Sequence, residues 1–405
     1  MARRILHLIA SNFIGGPEKQ ILHHALDLQG SEDQIVIGSF RDQPQSPEIL
    51  REAERHGLET FCLSGGVRLR PIAELSALLR RGETDLLCTH GYKANVVGHF
   101  AAPPAGVAHV PMVRGWTAET WQVSLYERLE RRILARSRWV GCVSARQAEE
   151  LAHIRGKRPA PFVIRNAMLP PFSQAVKSWP VTRVGLKIPP LAFVFGAVGR
   201  LSAEKGHRFL MDAFRRVCET YTGPRTPHLI LLGSGREQAA LREQARGLES
   251  RVHFAGFREN PADWMRLFDC MVLPSLTEGT PNVVLEAMSM QIPTIASSVG
   301  GVPDLISDER NGLLVPPGDS SALGAAMNRV LRTPQLCRQL MEGAAELSED
   351  YSPTAQREKF LAMYAMVLSE QARRRPSADA ERCATMPASA EAQPLSEPIQ
   401  SNKAA

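Results

Sequence analysis

This chain has no CxxC pair, and its seven cysteines (Cys62, Cys88, Cys142, Cys218, Cys270, Cys337 and Cys383) are scattered and odd in number. The missing pair argues against a zinc site. Most of these cysteines sit in apolar, strand-like runs and read as reduced core residues of a cytoplasmic protein. No apolar run reaches the roughly 18 residues that a membrane span requires. The N-terminal run Ile5–Ala10 is interrupted by His7, so it reads as a first β-strand and not as a signal peptide. Neither half shows G-x-G-x-x-G after its first strand, which disfavours a nicotinamide-dependent dehydrogenase. The chain also lacks an Asp-x-Asp sequence of the kind that holds a divalent metal. The net charge of +6 is modest. It permits contact with acidic lipid or phosphorylated ligands and gives no support to a nucleic-acid partner.

What is present is ordinary globular material, 44% hydrophobic and 22% charged over 405 residues, enough for two domains. Strand-like runs at 5–10, 34–40, 60–63, 85–90, 109–114 and 139–144 alternate with helical patterns, which predicts a doubly wound parallel sheet. Residues 166–190 hold five prolines, and 169–190 are placed as a linker between an N-terminal domain (1–168) and a C-terminal one (191–351). The second domain repeats the alternation, with strands at 191–201, 228–233, 251–256, 270–275 and 292–297. A last helix, 352–371, is expected to pack back on the N-terminal domain. The tail 372–405, rich in Ala, Ser, Pro and Glu, has little to bury and is expected to be disordered.

The most informative segment is Leu276–Met288, LTEGTPNVVLEAM. It lies between two apolar strand runs and carries Glu278 in a loop interrupted by Gly279 and Pro281. Pro281 and Asn282 read as a helix start, with Glu286 one turn inside. A loop feeding a helix N-terminus offers unpaired N–H groups to phosphate, and carboxylates beside it can accept hydrogen bonds from sugar hydroxyls. Two glutamates at this spacing mean nothing alone; the strand–loop–helix–strand context gives them weight. Other pieces follow strands of the same domain. GRLSAEKGH (199–207) carries Arg200 and Lys205, suited to phosphate, though each also reads as a surface charge. GSGRE (233–237) brings Gly233 and Gly235 to a strand-to-helix turn. HFAGF (253–257) ends with Gly256 and Phe257, where Phe257 reads either as a cover for a nucleobase edge or as a core residue. VGGVPDLI (299–306) and NGLLVPPGD (311–319) read as turns, with Asp319 as a helix N-cap.

In this order the pieces resemble the donor-binding domain of family-4 glycosyltransferases, retaining enzymes with two Rossmann-like domains facing across a cleft, the GT-B architecture. The resemblance covers about residues 4–370 and is strongest over 196–320. It implies a hexosyltransferase-type activity in which Arg200, Lys205 and Glu278 carry the chemistry. Arg200 and Lys205 would stabilise the departing diphosphate. Glu278 would contact hydroxyls of the transferred sugar beside the backbone of Gly279, Thr280, Pro281 and Asn282, and Glu286 would hold the ribose. Gly15 and Gly16, in SNFIGGPEKQI after the first strand, resemble the family's Gly-Gly loop that closes on the donor phosphates. Read without the family they are a tight turn before a helix that Pro17 begins.

On the acceptor side the residues are less specific. THGYKANVVG (89–98) would project His90, Tyr92, Lys93 and Asn95 into the cleft, with His90 or Lys93 contacting an acceptor. Many family members carry a histidine before a Gly-Trp-Thr-like turn after the fifth strand. Here VRGWTAET has Arg114 instead. A permanently charged guanidinium cannot serve as a base but can bind the leaving phosphate or an anionic acceptor. Trp116, Trp121 and the basic stretch 126–136 offer a peripheral contact with the inner face of the plasma membrane. Glu127 and Glu130, interleaved with the arginines, instead favour an ordinary solvated helix face.

The resemblance implies transfer of a sugar from a nucleoside diphosphate sugar to a glycan or lipid-linked acceptor, with retention and with the diphosphate taking the proton. Fixed cations would replace a metal, and no cofactor is expected. The rival readings are a non-catalytic sugar-nucleotide-binding protein and an epimerase or phosphorylase of the same two-lobed fold. No convincing Schiff-base lysine supports a pyridoxal phosphate phosphorylase.

Overall fold

The computed structural model describes residues 3–11, 14–42, 45–65, 69–114, 121–169, 181–258, 260–346 and 349–374, and only the backbone of 121–125. The turn holding Trp116, the side chain of Trp121, much of the proline-rich linker and the tail from 375 lie outside the described residues.

Seven parallel strands form the first sheet: β1 (Arg3–Ile9), β2 (Asp33–Arg41), β3 (Glu59–Ser64), β4 (Leu86–His90), β5 (Ala108–Val113), β6 (Gly141–Cys142) and β7 (Phe162–Val163). Their spatial order is β3-β2-β1-β4-β5-β6-β7. The helices between them are α1 (Gly16–Asp27), α2 (Glu48–Arg55), α3 (Leu69–Arg80), α4 (Tyr92–Ala101), α5 (Trp121–Arg136) and α6 (Ala145–Arg155). The second sheet has six strands: β8 (Phe193–Val198), β9 (Pro227–Leu232), β10 (Val252–Gly256), β11 (Cys270–Leu273), β12 (Thr294–Ser297) and β13 (Leu313–Val315). Its order, β10-β9-β8-β11-β12-β13, repeats that of the first sheet. Around it lie α7 (His207–Thr220), α8 (Gln238–Gln244), α9 (Pro261–Met265), α10 (Asn282–Ser289), α11 (Val302–Leu305), α12 (Ser320–Arg332) and α13 (Pro334–Glu346), and α14 (Pro353–Arg374) ends the described chain. Asp319 caps α12 through its side chain, as expected from the sequence.

Both sheets are buried on both faces, which is why their strands read as continuous apolar runs. The pleat sends alternate residues of β1 to different cores: Ile5 and Ile9 to one, Leu6 and Leu8 to the other. In β8, Phe193, Phe195 and Ala197 face one side and Val194 the other. Two strands escaped the sequence pattern. β7 has two residues and β13 three, too short for any periodicity to show.

The last helix returns to the first lobe. Phe360, Met363, Tyr364 and Val367 recur at helical spacing and pack in one cluster with Ile5, Ile37 and Val110. All four are at most 3% exposed. Their burial contributes about 6–12 kcal/mol as an upper bound, taking roughly 1.5–3 kcal/mol for each.

Candidate functional site

The order of each sheet reverses between neighbours, β1/β4 in one and β8/β11 in the other. Loops leaving such neighbours diverge and open a crevice at the carboxyl end of the sheet. In the second lobe the loop after β8 carries Arg200 and Lys205. Ala203–Lys205 form a single 3-10 turn, and Gly206, at φ +65°, turns the chain into α7. A Cβ on Gly206 would lie 2.1 Å from the Pro274 carbonyl oxygen, so only glycine lets this loop rest against the loop after β11. Helix α7 thus starts at His207, and Lys205 stands before it.

Across the crevice, Lys205 Nζ donates to Glu278 Oε1 at 2.7 Å, and Ser275 Oγ donates to the same oxygen at 2.6 Å. The two charged side chains are 23% and 8% exposed, so each fixes the other in partial shelter from water. Arg200 is more open, with its Nη2 3.3 Å from Glu204 Oε1 and 54% of the side chain exposed. The three residues expected to carry the chemistry therefore share one crevice. Lys205 and Glu278 touch directly, and Arg200 borders them on the same loop as Lys205.

The glycines have backbone reasons. A Cβ on Gly233 would meet the Gly199 carbonyl oxygen at 1.9 Å, and one on Gly235 the Leu201 oxygen at 2.3 Å. They let the turn after β9 lie against the turn that holds Arg200. Gly256, at φ +73°, accepts from the Gly233 N–H at 2.8 Å. Beside it Phe257 is 62% exposed, which removes its reading as a core residue. Pro281 is the N-cap of α10, and Glu286 falls one turn inside, as the sequence predicts. The GGVPDLI turn braces this segment. Gly300 sits at φ +53°, where a Cβ would be 1.8 Å from the Glu278 carbonyl oxygen, and the Gly301 N–H donates to Gly279 O at 2.8 Å.

Loops at the carboxyl ends of the two sheets meet. Thr280 Oγ1 donates to Val143 O at 3.1 Å, and Asn166 Nδ2 donates to Thr280 O at 3.2 Å. The Ala145 N–H reaches Asp304 Oδ2 at 2.9 Å. Gln20 Nε2 donates to Asn282 Oδ1 at 3.0 Å, and Lys19 Nζ lies 3.4 Å from Glu286 Oε1. Gly16 approaches so closely that a Cβ there would be 1.9 Å from Asn282 Nδ2. The Gly15–Gly16 loop thus lies directly opposite the loop that carries Glu278 and Asn282. Glu18 reaches back to the Gly15 N–H at 2.9 Å, which holds the loop to the start of α1.

The first lobe departs from expectation at several residues. His90 does not project into an open cleft; it is 2% exposed and belongs to a buried row. Arg114 Nη2 lies 3.1 Å from His90 Nδ1, His90 Nε2 lies 3.0 Å from His7 Nδ1, and the Tyr364 hydroxyl lies 2.8 Å from both His7 Nε2 and His24 Nε2. The arginine fixes every tautomer in this row, because a guanidinium can only donate. His90 Nδ1 must accept, so its Nε2–H donates to His7 Nδ1. His7 Nε2–H then donates to Tyr364, and the tyrosine donates to His24 Nε2. The scheme requires neutral rings. Burial, reinforced by the Arg114 charge, pushes His7 down to about 3 and holds His90 well below the usual imidazole range. Burial does the same to His24.

Asn95 is also not a cleft residue. It is fully buried, accepts from Thr89 Oγ1 at 2.6 Å and donates to Glu130 Oε1 at 2.6 Å. Glu130 and Glu127, expected on a solvated face of α5, are 3% and 8% exposed. An amide at 0% exposure requires a partner, and Glu130 supplies it from the inner side of the helix. Lys93 stands at the carboxyl end of the sheet and donates to both Asp42 carboxylate oxygens, at 2.6 and 2.7 Å. Gln20 and Asn166 carried no sequence signal. Each is an isolated amide whose importance comes from joining segments far apart in the chain.

Among the described residues no helix is long and apolar enough to cross a membrane, and no group of three or more His, Cys, Asp or Glu is arranged to hold a metal ion. The six described cysteines are free.

Comparison with known proteins agrees with this fold. A family model described as glycosyl transferases group 1 matches residues 192–333, and one described as a glycosyl transferase 4-like domain matches 15–167. The chain is 32% identical over 207 residues to a lipopolysaccharide core biosynthesis glycosyltransferase, LpsD, of Rhizobium meliloti; the match covers 51% of this chain and 57% of that protein. It is 27% identical over 274 residues to an Escherichia coli UDP-Gal:alpha-D-GlcNAc-diphosphoundecaprenol alpha-1,3-galactosyltransferase, covering 65% and 70%. The chain spans about half the length of the first curated relatives that it matches. The crystal structure of Anabaena HepE in complex with UDP superimposes with a TM-score of 0.74 at 23% identity, covering 90% of this chain and all of that one. Two parallel-sheet lobes of matching strand order, together with two family models that match residues 15–167 and 192–333, make this chain a member of the group 1 glycosyltransferases with the GT-B fold.

Proposed function

We propose that the protein transfers a sugar from a nucleoside diphosphate sugar to an acceptor hydroxyl, with retention of configuration, in the synthesis of a cell-surface polysaccharide or glycolipid. The observation that carries this reading is the Lys205–Glu278 contact of 2.7 Å across the β8/β11 crevice, with Arg200 beside it and the Gly15–Gly16 loop opposite. Charge that develops on the departing diphosphate would be met by Lys205, Arg200 and the amides at the start of α7. Glu278, freed from Lys205 as phosphate takes the ammonium, would accept from sugar hydroxyls. Glu286 would accept from the ribose. The diphosphate itself would take the acceptor proton, so no protein nucleophile enters the scheme.

The names of the relatives support an acceptor in surface-glycan synthesis, and one of them names a diphosphoundecaprenol-linked acceptor. A protein acting at the inner face of the plasma membrane would meet such an acceptor there. The test is turnover of labelled UDP-, GDP- and ADP-sugars with and without a chelator. Transfer is expected to continue in the chelator, since fixed cations do the work of a metal. Loss of turnover on chelation would overturn the metal-independent scheme, and binding without turnover would leave a sugar-nucleotide-binding protein.

A further inference from the structure

Arg114 ends the loop side of β5, one amide away from the loop that carries Glu278. Its guanidinium has five N–H groups. One is given to Asn166 Oδ1 at 3.0 Å and one to His90 Nδ1 at 3.1 Å. The Nε is buried and has no partner. Asn166 in turn donates to Thr280 O, so the cation is fixed relative to the opposite lobe. Arg114 is half-buried, and burial pushes its guanidinium down to about 10.

Both partners are neutral. The proton order derived above makes His90 an uncharged acceptor, and Asn166 is an amide. The carboxylate that Arg114 feels is Glu18, whose own hydrogen bonds go to the Gly15 N–H and to Ser11. Burial raises the Glu18 carboxyl above its ordinary value, and no hydrogen bond joins it to Arg114. By contrast Lys205, Arg200 and Lys19 each rest against a carboxylate. Among the described residues no anion is bonded to Arg114; a sheltered guanidinium in that state is costly, and its planar edge matches a carboxylate or phosphate bidentately. The His90–His7–Tyr364 row behind it holds the ring plane while leaving that charge unspent.

We propose that Arg114 receives a carboxylate or phosphate borne by the substrate, so that this chain acts on an anionic sugar or an anionic acceptor. The inference rests on the donor-site reading given above and deepens it. Titration calorimetry on the full chain tests the two separately. UDP, GDP and ADP probe the donor site alone; if none binds, the donor reading fails whatever Arg114 does. With the nucleotide that binds, its glucose and glucuronate esters are compared. The acidic ester is expected to bind at least about tenfold tighter, as one charge-assisted bidentate pair gives. Arg114→Gln is expected to level the two esters while leaving the free diphosphate unchanged. If the esters bind alike, glucose 6-phosphate and glucuronate are titrated into nucleotide-saturated protein; saturable binding that Arg114→Gln abolishes places the anion on the acceptor. Arg114→Lys, which keeps the charge but not the fork, is expected to retain part of the preference and carries the comparison if the Gln variant does not fold. The proposal is overturned if neutral and acidic probes bind alike in both arms, or if the Gln variant still discriminates.

Discussion

Arg114 and the paired cations around the crevice carry their positive charge in opposite ways. In the second lobe Lys205 is paired with Glu278 and Arg200 with Glu204, and in the first Lys19 reaches across to Glu286 and Lys93 holds Asp42. In the first lobe Arg114 is held by an imidazole and an amide. A paired cation is kept in place by a group the ligand must displace, so binding there is an exchange of partners. A cation on neutral supports is held just as firmly but keeps its charge for whatever arrives. The first arrangement suits a leaving group that gains charge during reaction, and the second suits a group already charged.

The largest effect expected on this contrast comes from Lys205→Ala. Removing a cation aimed at developing charge lowers kcat by about 10²–10³, read in steady-state assays with the preferred donor. An unchanged kcat would take Lys205 out of the mechanism. The first-lobe row is instead sensitive to acid. His7, His24 and His90 have folded pKa values depressed below the ordinary value, that of His7 to about 3. The unfolded chain therefore binds the extra protons first. Stability is full above about pH 6.5 and falls as pH drops toward the folded values, by at most about 1.4 kcal/mol per pH unit for each ring. Melting temperatures between pH 7.5 and 5 check this, and a flat profile would contradict neutral rings.

Next comes Tyr364→Phe, which removes the hydroxyl between His7 and His24 and is expected to cost about 2 kcal/mol through buried groups left without a partner. Denaturant unfolding measures it. If the row also orients Arg114, the acidic-probe preference falls with the same substitution. The smallest effect is Glu286→Ala, expected to weaken donor binding by about tenfold through loss of hydrogen bonds to the ligand. The chemical rate, read in single turnovers, should stay near that of the parent.

Much of this architecture was legible in the chain. Parallel strands buried on both faces leave long apolar runs, and glycine, proline and capping residues punctuate them, so most elements fell near their expected bounds. The loop after β11 was readable because its pieces are local: Glu278, Pro281 and Glu286 lie within a single strand–loop–helix unit. The need for glycine at Gly206 and Gly300 is visible only in their neighbours. Each is excluded from being anything else by a carbonyl oxygen about 70 or 20 residues away in sequence. The acceptor side misled for a related reason. Asn95 and Glu130 look like solvent-seeking residues on two separate helices, and only the packing of α4 on α5 turns them toward each other.

Sequence by itself therefore determined the two Rossmann-like lobes and the strand–loop–helix unit that holds Glu278 and Glu286, because both depend on local periodicity and short-range turn chemistry. Tertiary structure alone decided what His7, His24, His90, Tyr364, Asn166 and Arg114 do. Their protonation, tautomers and unspent charge are set by burial and by partners up to 357 positions apart, and low-dielectric neighbourhoods of that kind exist only once the last helix has closed on the first sheet.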